Sequence, residues 1–368
     1  MRVPFSYLDR QFADVDGYLA DLKEFVVTGD FTLGKPLTEF EGKFATLTGT
    51  KHAIGVNSGT DALMLPMKAA GIGPGDEVIT TTMTFVATVG AIAETGATPV
   101  FVDSKDGFVI DAELIEAAIT PKTKAIVPVH YTGNMPNMSA VQAIAEKHNL
   151  LVFEDACQAI HAQFEGKNAG AYSLAAGYSL HPLKNLNVWS DGGVITTNDD
   201  AFADKLRLMR NHGLVDRDHV KFYAHNSRLD TLQAVIGNRL IKEVDFITNT
   251  RIKNAKRYDE AFADLAPYIR VPERDPRVRH VFHLYIVYAE RRDELLAHLH
   301  AKGVEAKIHY PIPMHLQEAS IPLGYKRGDF PVAEAQCDSI VTLPAHQHLT
   351  EDEVGYAIEQ VRAFYPRT

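Results

Sequence analysis

Short β-type runs alternate with segments of helical periodicity over the first two-thirds of the sequence. Apolar runs such as HAIGV, DEVITTT and TPVFVD are separated by helix-like stretches that glycine or asparagine ends, including TDALMLPMKAAG and MSAVQAIAEKHN. Strands spaced by helices favour a parallel sheet with helices on both faces. The alternation therefore predicts an α/β fold. It also directs attention to the residues after each strand, because ligands bind beyond the carboxyl ends of parallel strands.

The last third of the chain has a different pattern. From about residue 246, a long helical stretch precedes the strand-like run VFHLYIVYA, a further helix and a mixed segment. The final helix has the signature of a capping box, with Thr350 at its start and Glu353 three positions later. We therefore predict a large domain over residues 1–245 and a small α+β domain over residues 246–368. A length of 368 residues also favours two domains.

Composition and charge argue against several classes of protein. The formal net charge of −10 disfavours a nucleic-acid or anionic-membrane binder, although a local site can still accept a small anion. The N-terminus lacks the pattern of a signal peptide, and no long uncharged apolar run is present that could span a bilayer. Two cysteines are too few for a disulfide framework or a cysteine-based zinc site. We expect a soluble, cytoplasmic protein without nucleic-acid or membrane partners.

Two strand ends carry polar residues that suit a phosphorylated heteroaromatic ligand. SGTDAL begins a helix directly after a strand, and the free N–H groups of a helix start suit a phosphate, although an ordinary capped turn has the same sequence. Further along, Glu154 and Asp155 end a buried-type strand. A carboxylate there can hold a proton on a ring nitrogen, and the alternative is a cap on the next helix.

Lys184 lies in the restricted setting HPLKNLNVWSDGG, between a proline-containing turn and a glycine pair. A lysine partly removed from water has a lowered pKa and becomes an amine nucleophile, whereas an isolated lysine is normally a solvated surface residue. Ser179 precedes it, with a hydroxyl that could reach a phosphate, and Phe85 follows another strand. Together with Asp155, these residues describe a site for pyridoxal 5′-phosphate (PLP). In such a site the lysine forms a Schiff base, the carboxylate holds the pyridinium and the aromatic ring stacks on the cofactor.

The sequence resembles the DegT/DnrJ/StrS family of PLP-dependent sugar aminotransferases over nearly its whole length. The resemblance is carried, in order, by SGTDALMLPMKAAGIGPGDEVIT, EDACQA, SLHPLKNL, DGGVITTND, HNSRLDTLQAVIGNRL and IHYPIPMHLQ. It implies the type I fold of aspartate aminotransferase, with a large, mainly parallel sheet and a small C-terminal domain. It further implies that a keto-sugar linked to a nucleotide diphosphate is converted into an amino sugar, with glutamate as the expected donor. IHYPIPMHLQ is somewhat more similar to enzymes that aminate the third carbon of the sugar than the fourth.

The resemblance implies a role for each matching residue of the cofactor site. Lys184 is similar to the lysine that the family attaches to the cofactor and uses as a proton shuttle. Asp155 is similar to the residue that pairs with the pyridine nitrogen. Phe85 has the position of the stacking aromatic ring, and Gln158 that of the residue beside the ring oxygen. The remaining matches fall where the family binds the phosphate: Gly59, Thr60, Ser179 and Asn226.

Other matching residues point to a second subunit and to the substrate. Asn226 resembles an asparagine that reaches the phosphate of the neighbouring subunit, which implies a homodimer with shared active sites. Arg228 is a candidate for contacting a substrate carboxylate or phosphate, and a structural interface arginine is the open alternative. His309 and Tyr310 are expected near the mouth of the site. We expect no metal, because no carboxylate or third ligand is spaced with His309 and His315.

The chain departs from the usual family pattern at residues 187–191, where Asn-Val-Trp-Ser-Asp replaces small residues and glycines. We expect Trp189 to be a buried anchor between domains, because large aromatic side chains usually serve packing. Lys184 argues against the sugar dehydratases of the family, which carry histidine at this position. The alternatives are a PLP-dependent sugar dehydratase, a transaminase of non-sugar ketones and a non-catalytic regulatory protein of the same fold.

Overall fold

A computed structural model describes residues 1–365 of the chain. In this range the strands are β1 (His52–Val56), β2 (Glu77–Thr81), β3 (Thr98–Val102), β4 (Thr123–Val127), β5 (Leu151–Asp155), β6 (Gln163–Phe164), β7 (Lys167–Asn168), β8 (Ala175–Ser179), β9 (Gly193–Thr197), β10 (Ile269–Arg270), β11 (Val278–Arg279), β12 (Tyr285–Ala289) and β13 (Ile340–Leu343). The α-helices are α1 (Leu8–Gln11), α2 (Asp16–Val26), α3 (Lys35–Thr48), α4 (Gly59–Ala69), α5 (Val86–Ala93), α6 (Ala112–Ile115), α7 (Met138–His148), α8 (Asp200–Met209), α9 (Thr231–Leu240), α10 (Val244–Phe262), α11 (Arg292–Ala301), α12 (Pro331–Ser339) and α13 (Glu351–Phe364).

Seven strands form one large sheet in the order β1-β9-β8-β5-β4-β2-β3. The pairs from β3 to β8 are parallel, and β9 runs antiparallel to both of its neighbours. Successive strand residues enter two different cores: Ile79 and Ile126 pack with α3, α7 and α9, while Val78 and Ala125 pack with α4, α5 and α8. Helices therefore cover both faces, and the α/β fold expected from the periodicity is confirmed.

The reversed strand β9 brings the start of one strand to the carboxyl edge of the sheet. Gly193, its first residue, pairs with Val56 at the end of β1 and with Ser179 at the end of β8. A Cβ atom on Gly193 would lie 2.2 Å from the carbonyl oxygen of Ser58, so a side chain cannot be accommodated without a backbone shift. The absence of that side chain lets the turn before α4 approach Ser179.

A second, smaller core surrounds the three-stranded sheet β10-β12-β13. Its buried residues come from α10, α11 and α13, for example Tyr258, Leu295 and Val354, and from Val3 near the N-terminus. The predicted capping box is confirmed at the start of α13, where the Thr350 hydroxyl accepts from the Glu353 N–H at 3.1 Å and the Glu353 carboxylate accepts from the Thr350 N–H at 2.8 Å. The predicted boundary near residue 245 falls inside α10, and the division into two domains stays a prediction.

Trp189 does not have the buried position that we expected. Its side chain is 36% exposed, and its backbone has a φ of +68°. The indole ring packs against Phe12 and Tyr18 of the N-terminal part of the chain, at centroid distances of 5.5 and 5.3 Å. The prediction of a buried anchor is therefore wrong.

Among residues 1–365, no helix combines the length and the apolar character needed to cross a bilayer.

Candidate active site

The carboxyl edge of the large sheet opens into a cavity that the N-terminal segment and the small sheet close from the other side. Its volume of about 270 Å³ is close to the lower end, roughly 300 Å³, of the range for small-molecule sites. The predicted site residues that line it are Gly59, Thr60, Phe85, Ser179, Lys184, His309 and Tyr310. The fold thus gathers predicted residues from four separate stretches of the chain, 59–60, 85, 179–184 and 309–310, around one space.

The start of α4 forms one wall of the cavity. The Ser58 hydroxyl accepts from the N–H of Asp61 at 3.1 Å. Ser58 therefore caps the helix, as expected for the capped turn given above as the alternative to a phosphate site. The N–H groups of Gly59 and Thr60 have no acceptor within residues 1–365. A Cβ atom on Gly59 would lie 2.7 Å from Cβ of Ser179, so the glycine keeps the helix start and the serine hydroxyl together. Free N–H groups, a hydroxyl and the helix dipole suit a phosphate group.

Asp155 ends β5 next to this wall and is 5% exposed. Its carboxylate accepts from the Thr88 hydroxyl at 2.6 Å and from the N–H of Cys157 at 3.1 Å. Turns rather than a helix follow, so the carboxylate is not a helix cap. Two donors fix the carboxylate at the strand end that faces the cavity region, where it can hold a proton on a ring nitrogen.

Glu154, one residue earlier, serves a different purpose. It is fully buried, and four donors surround its carboxylate: His130 Nε2 at 2.7 Å, the N–H groups of Gly170 and Tyr172 at 3.0 Å each, and the Ser173 hydroxyl at 2.8 Å. Burial alone would raise the pKa of Glu154, but the hydrogen bond and charge of His130, together with the other donors, lower it below its ordinary value. Adjacent strand residues point to opposite faces, so only one of the two carboxylates serves the cavity.

Lys184 reaches the cavity from the loop between β8 and β9. Burial lowers the pKa of its ammonium group, while neighbouring Cys157 and Asp155 oppose that shift. Burial also raises the pKa of the Cys157 thiol well above its ordinary value, so the thiol is neutral near pH 7 and Asp155 supplies the opposing charge. A lysine of this kind has a larger neutral fraction than a surface lysine and is a better nucleophile and base.

Aromatic and imidazole side chains form the opposite wall. The Phe85 ring is 47% exposed, and its centroid lies 5.7 Å from that of Tyr310. Burial, with the nearby charges of Lys307 and Lys184, lowers the pKa of His309 to about 4. Burial raises the pKa of Tyr310 to about 12. At neutral pH this wall therefore offers a neutral imidazole and a protonated phenol.

Four predicted residues do not line the cavity: Asp155, which lies next to it, and Gln158, Asn226 and Arg228. Gln158 is buried beside the end of β5, where its Oε1 accepts from the N–H of Thr132 at 2.8 Å. Asn226 forms an isolated antiparallel bridge with Asn211, and the Arg228 guanidinium donates to the Asn211 side-chain oxygen at 3.0 Å. The roles expected of Asn226 and Arg228 concern a neighbouring subunit, so they stay predictions.

His315, the second histidine of IHYPIPMHLQ, is fully enclosed. Its Nδ1 lies 2.7 Å from the Thr82 hydroxyl and its Nε2 lies 3.0 Å from Glu334. Both ring nitrogens thus have protein partners. Within residues 1–365, no group of three or more potential metal-ligating side chains comes together.

Several cavity residues were not among the predicted site residues. Tyr7, Arg251, His283 and His346 come from the N-terminal segment, from α10 and from the loops after β11 and β13. Arg251 is 3% exposed, although an arginine within an amphipathic helix usually lies on the solvated face. Only the packing of the small core against the large sheet brings these residues to the site.

The arrangement fits PLP in three separate features. The start of α4 and the Ser179 hydroxyl can bind a phosphate group. The Asp155 carboxylate can pair with a protonated ring nitrogen, and the Lys184 amine can react with an aldehyde. Gly59 keeps the phosphate cradle free of a side chain, as a close approach of the ligand to the backbone requires. No feature of this set requires a metal.

The chain matches one protein family over nearly its whole length. The model of the DegT/DnrJ/EryC1/StrS aminotransferase family matches residues 15–362. The chain is 43% identical to a pleiotropic regulatory protein of Geobacillus stearothermophilus, with 99% of each chain covered. It is 38% identical to a dTDP-3-amino-3,4,6-trideoxy-α-D-glucose transaminase of Streptomyces venezuelae, with 100% of this chain and 97% of the relative covered.

The fold is also similar to that of a solved structure. The crystal structure of S. venezuelae DesV in complex with a ketimine intermediate superposes with a TM-score of 0.97, at 38% identity, covering 100% of this chain and 99% of DesV. The predicted type I fold of PLP-dependent transferases is confirmed.

Proposed function

The chain belongs to the DegT/DnrJ/EryC1/StrS aminotransferase family, and on that premise we propose that it aminates the ketone of a nucleotide-linked sugar. One observation carries the proposal: Lys184 and the start of α4 line a single cavity, and the buried Asp155 carboxylate lies next to it at the end of β5. The S. venezuelae transaminase supports a nucleotide-linked substrate, and its name supports amination at the third carbon of the sugar. We propose the third carbon over the fourth.

PLP is the cofactor of this aminotransferase. When bound, it supplies an electron sink that stabilises negative charge on the carbon next to the transferred nitrogen. Asp155 would hold a proton on the ring nitrogen, and Phe85 would pack on the ring. Gln158 is proposed to act beside the ring oxygen, although its Oε1 accepts from the Thr132 N–H in the described structure. Gly59, Thr60 and Ser179 would bind the phosphate.

Lys184 is proposed as the base that moves the proton between the two reacting carbon atoms. Its lowered pKa favours the neutral amine, which is the form that accepts a proton. His309 and Tyr310 are proposed to contact the sugar, with the neutral imidazole as an acceptor and the phenol as a donor. Arg228 is proposed to bind a carboxylate or phosphate of a substrate.

Two further parts of the proposal concern the assembly and the donor. We propose glutamate as the amino donor and a homodimer with shared active sites. In that dimer the partner subunit's Asn226 reaches the cofactor phosphate. A cytoplasmic location is proposed because Cys157 and Cys337 are both free thiols, which suit a reducing compartment.

The decisive experiment loads the purified protein with PLP and follows its absorbance. We expect a bound-cofactor spectrum that glutamate converts to the amine form, and amino-sugar product from 3-keto rather than 4-keto nucleotide sugars. Lys184→Ala should abolish turnover, whereas Lys256→Ala, at a side chain that is 75% exposed, should not. A wild type without cofactor absorbance, or a Lys184→Ala variant with full transamination, contradicts the proposal.

The shared site has its own test. Lys184→Ala and Asn226→Ala variants are each expected to be impaired as separate dimers. When they are mixed and allowed to exchange subunits, one site of each mixed dimer regains both residues, so activity should reappear. Activity that stays at the level of the separate variants contradicts a site built from two subunits.

A regulatory role is the second candidate, because the relative from G. stearothermophilus is named a pleiotropic regulatory protein. A regulator without turnover needs neither a lysine of lowered pKa nor a buried carboxylate beside it, and this chain has both. Sugar dehydration and transamination of non-sugar ketones keep the same cofactor and are separated from the proposal by product analysis. A protein that binds PLP but turns over no ketone would favour the regulatory role.

A further inference from the structure

Tyr7 connects the N-terminal segment to the loop that carries Lys184. Its hydroxyl lies 3.1 Å from the carbonyl oxygen of Leu183 and 3.0 Å from that of Lys184. Among residues 1–365 it is the only hydrogen-bond donor to either carbonyl. The Tyr7 side chain is 3% exposed, so water cannot easily replace this contact.

The loop has other restraints on either side of Lys184: the His181 N–H donates to the Ser179 hydroxyl at 3.3 Å, and the Asn185 side-chain amide donates to the Val281 carbonyl oxygen at 3.5 Å. The N–H of Lys184 donates to the carbonyl oxygen of His181 at 2.8 Å, which closes a β-turn across Pro182 and Leu183. Among the described contacts, the one with Tyr7 restrains the carbonyl groups of Leu183 and Lys184 from outside the loop.

Arg251 holds Tyr7 in place from the side of α10. Its guanidinium carbon lies 5.2 Å from the centre of the Tyr7 ring, within the range of a cation–π interaction. Three acceptors fix the guanidinium: it donates to the carbonyl oxygens of Phe282 at 3.2 Å and His283 at 3.1 Å and to Oε1 of Gln347 at 3.0 Å. The Tyr7 ring also packs at 5.1 Å from the His346 ring. Tyr7 is thus clamped between the lysine loop and the small core.

We propose that Tyr7, held by Arg251, is a positioning residue that fixes the backbone of Lys184 and so sets the place of its amine. The proposal rests on Lys184 acting as the reactive lysine of the proposed function. Tyr7 touches neither the Lys184 amine nor the cradle at the start of α4 in the described contacts. Its effect is therefore transmitted through the main chain of residues 183–184.

Tyr7→Phe removes the hydroxyl and keeps the ring, so it isolates the contact. Tyr365→Phe is the matched control, because the Tyr365 side chain is also 3% exposed and its hydroxyl donates to a carbonyl, that of Glu290, at 2.7 Å within the small core. We expect Tyr7→Phe to lower the maximal rate of the glutamate-driven spectral change by about fivefold, the size of one net hydrogen bond. The KM for glutamate should stay within about twofold, because the donor's binding groups are untouched.

A second readout does not depend on turnover. The fraction of cofactor attached to Lys184 is trapped by borohydride reduction and measured by mass spectrometry, and its rate of formation after PLP is added to the apoprotein is followed. Tyr7→Phe should slow this attachment by about fivefold, whereas the Tyr365→Phe control should match the wild type. Arg251→Met should slow it too, and the double variant should be slowed less than the product of the two single effects, because both residues act through one contact.

The outcomes separate this inference from the proposed function. A wild type that neither attaches PLP nor transaminates overturns the proposed function, and the positioning role falls with it. A wild type that does both, beside a Tyr7→Phe variant that behaves like Tyr365→Phe in rate and attachment, overturns the positioning role alone. A slowed Tyr7→Phe variant whose thermal stability equals that of the control supports positioning, since a purely structural contribution would move the two variants together.

Discussion

Replacing Glu154 by glutamine should destabilise the fold strongly, although the two side chains have almost the same shape. One carboxylate oxygen accepts from His130 and from the N–H of Gly170, and the other accepts from the N–H of Tyr172 and the Ser173 hydroxyl. Imidazole and hydroxyl groups can reorient to accept from an amide, but a backbone N–H cannot. In either orientation of the glutamine side chain, its NH2 group therefore faces one backbone N–H, that of Gly170 or that of Tyr172, and that N–H loses its acceptor.

The size of the effect follows from these contacts. Leaving one buried donor unsatisfied costs about 1–3 kcal/mol, and losing the charge on an acceptor of several hydrogen bonds adds about 1 kcal/mol or more. We expect Glu154→Gln to lower the free energy of unfolding by about 2–4 kcal/mol. Glu116→Gln is the matched control: Glu116 also contacts a histidine, His148, at 2.6 Å, but its side chain is 45% exposed and water can replace the contact.

Urea denaturation of the apoproteins at one protein concentration measures the difference. The pKa of Glu154 lies below its ordinary value of 4.5, so the carboxylate's contribution to stability is complete above pH 4.5 and is lost as the pH falls below that value. The gap between wild type and Glu154→Gln should therefore be widest at neutral pH and narrow below pH 4.5. A gap under about 1 kcal/mol at pH 7, or one no larger than that of the Glu116→Gln control, would refute the reasoning.

Three further predictions concern the cavity. Gly193→Ala should lower PLP affinity roughly tenfold in a fluorescence titration, because its Cβ would lie 2.2 Å from the Ser58 carbonyl oxygen. Gly42→Ala is the control and should leave the affinity unchanged, because no atom lies within 4 Å of the new Cβ. Ser179→Ala should lower PLP affinity about fivefold at unchanged thermal stability, through one lost phosphate contact. His309 has a pKa of about 4 against 6.5 ordinarily, so its contribution to stability is present above pH 6.5 and is lost as the pH falls towards 4. His309→Asn should remove this part of the acid sensitivity, and an unchanged pH profile would contradict the assignment.

The strands of the large sheet could be predicted because each is a short apolar run between polar turns. The runs HAIGV, DEVITTT and TPVFVD correspond to β1, β2 and β3 within a residue or two of the predicted ends. The reversed direction of β9 could not be predicted. A strand that is buried on both faces has the same apolar pattern whichever way it runs, and only its pairing with β1 and β8 reveals the direction.

Some residues of the candidate site could be predicted from the sequence, and others could not. Lys184 and Asp155 could be located because each follows a strand at the edge where ligands bind. Tyr7 and Arg251 could not, because nothing in their sequence neighbours distinguishes a clamped side chain from a solvated one. We expected Trp189 to be buried because large aromatic side chains usually are, but the turn before β9 leaves this side chain partly exposed.

A phosphate bound in this cavity would be held mainly by the backbone rather than by charged side chains. Histidines line its walls, yet burial and the neighbouring cations lower the pKa of His309 to about 4 and that of His346 to about 3, so both are neutral at pH 7. We propose Lys184 as the reactive base, and the Arg251 guanidinium already donates to Phe282, His283 and Gln347. In a chain of net charge −10, the remaining attraction for an anion is the free N–H groups and dipole at the start of α4. Because fixed backbone donors do not titrate, the affinity of the Lys184→Ala variant for sulfate, an anion of constant charge, should stay nearly constant between pH 6 and 8. A steep fall across that interval would mean that a side-chain cation binds the anion instead.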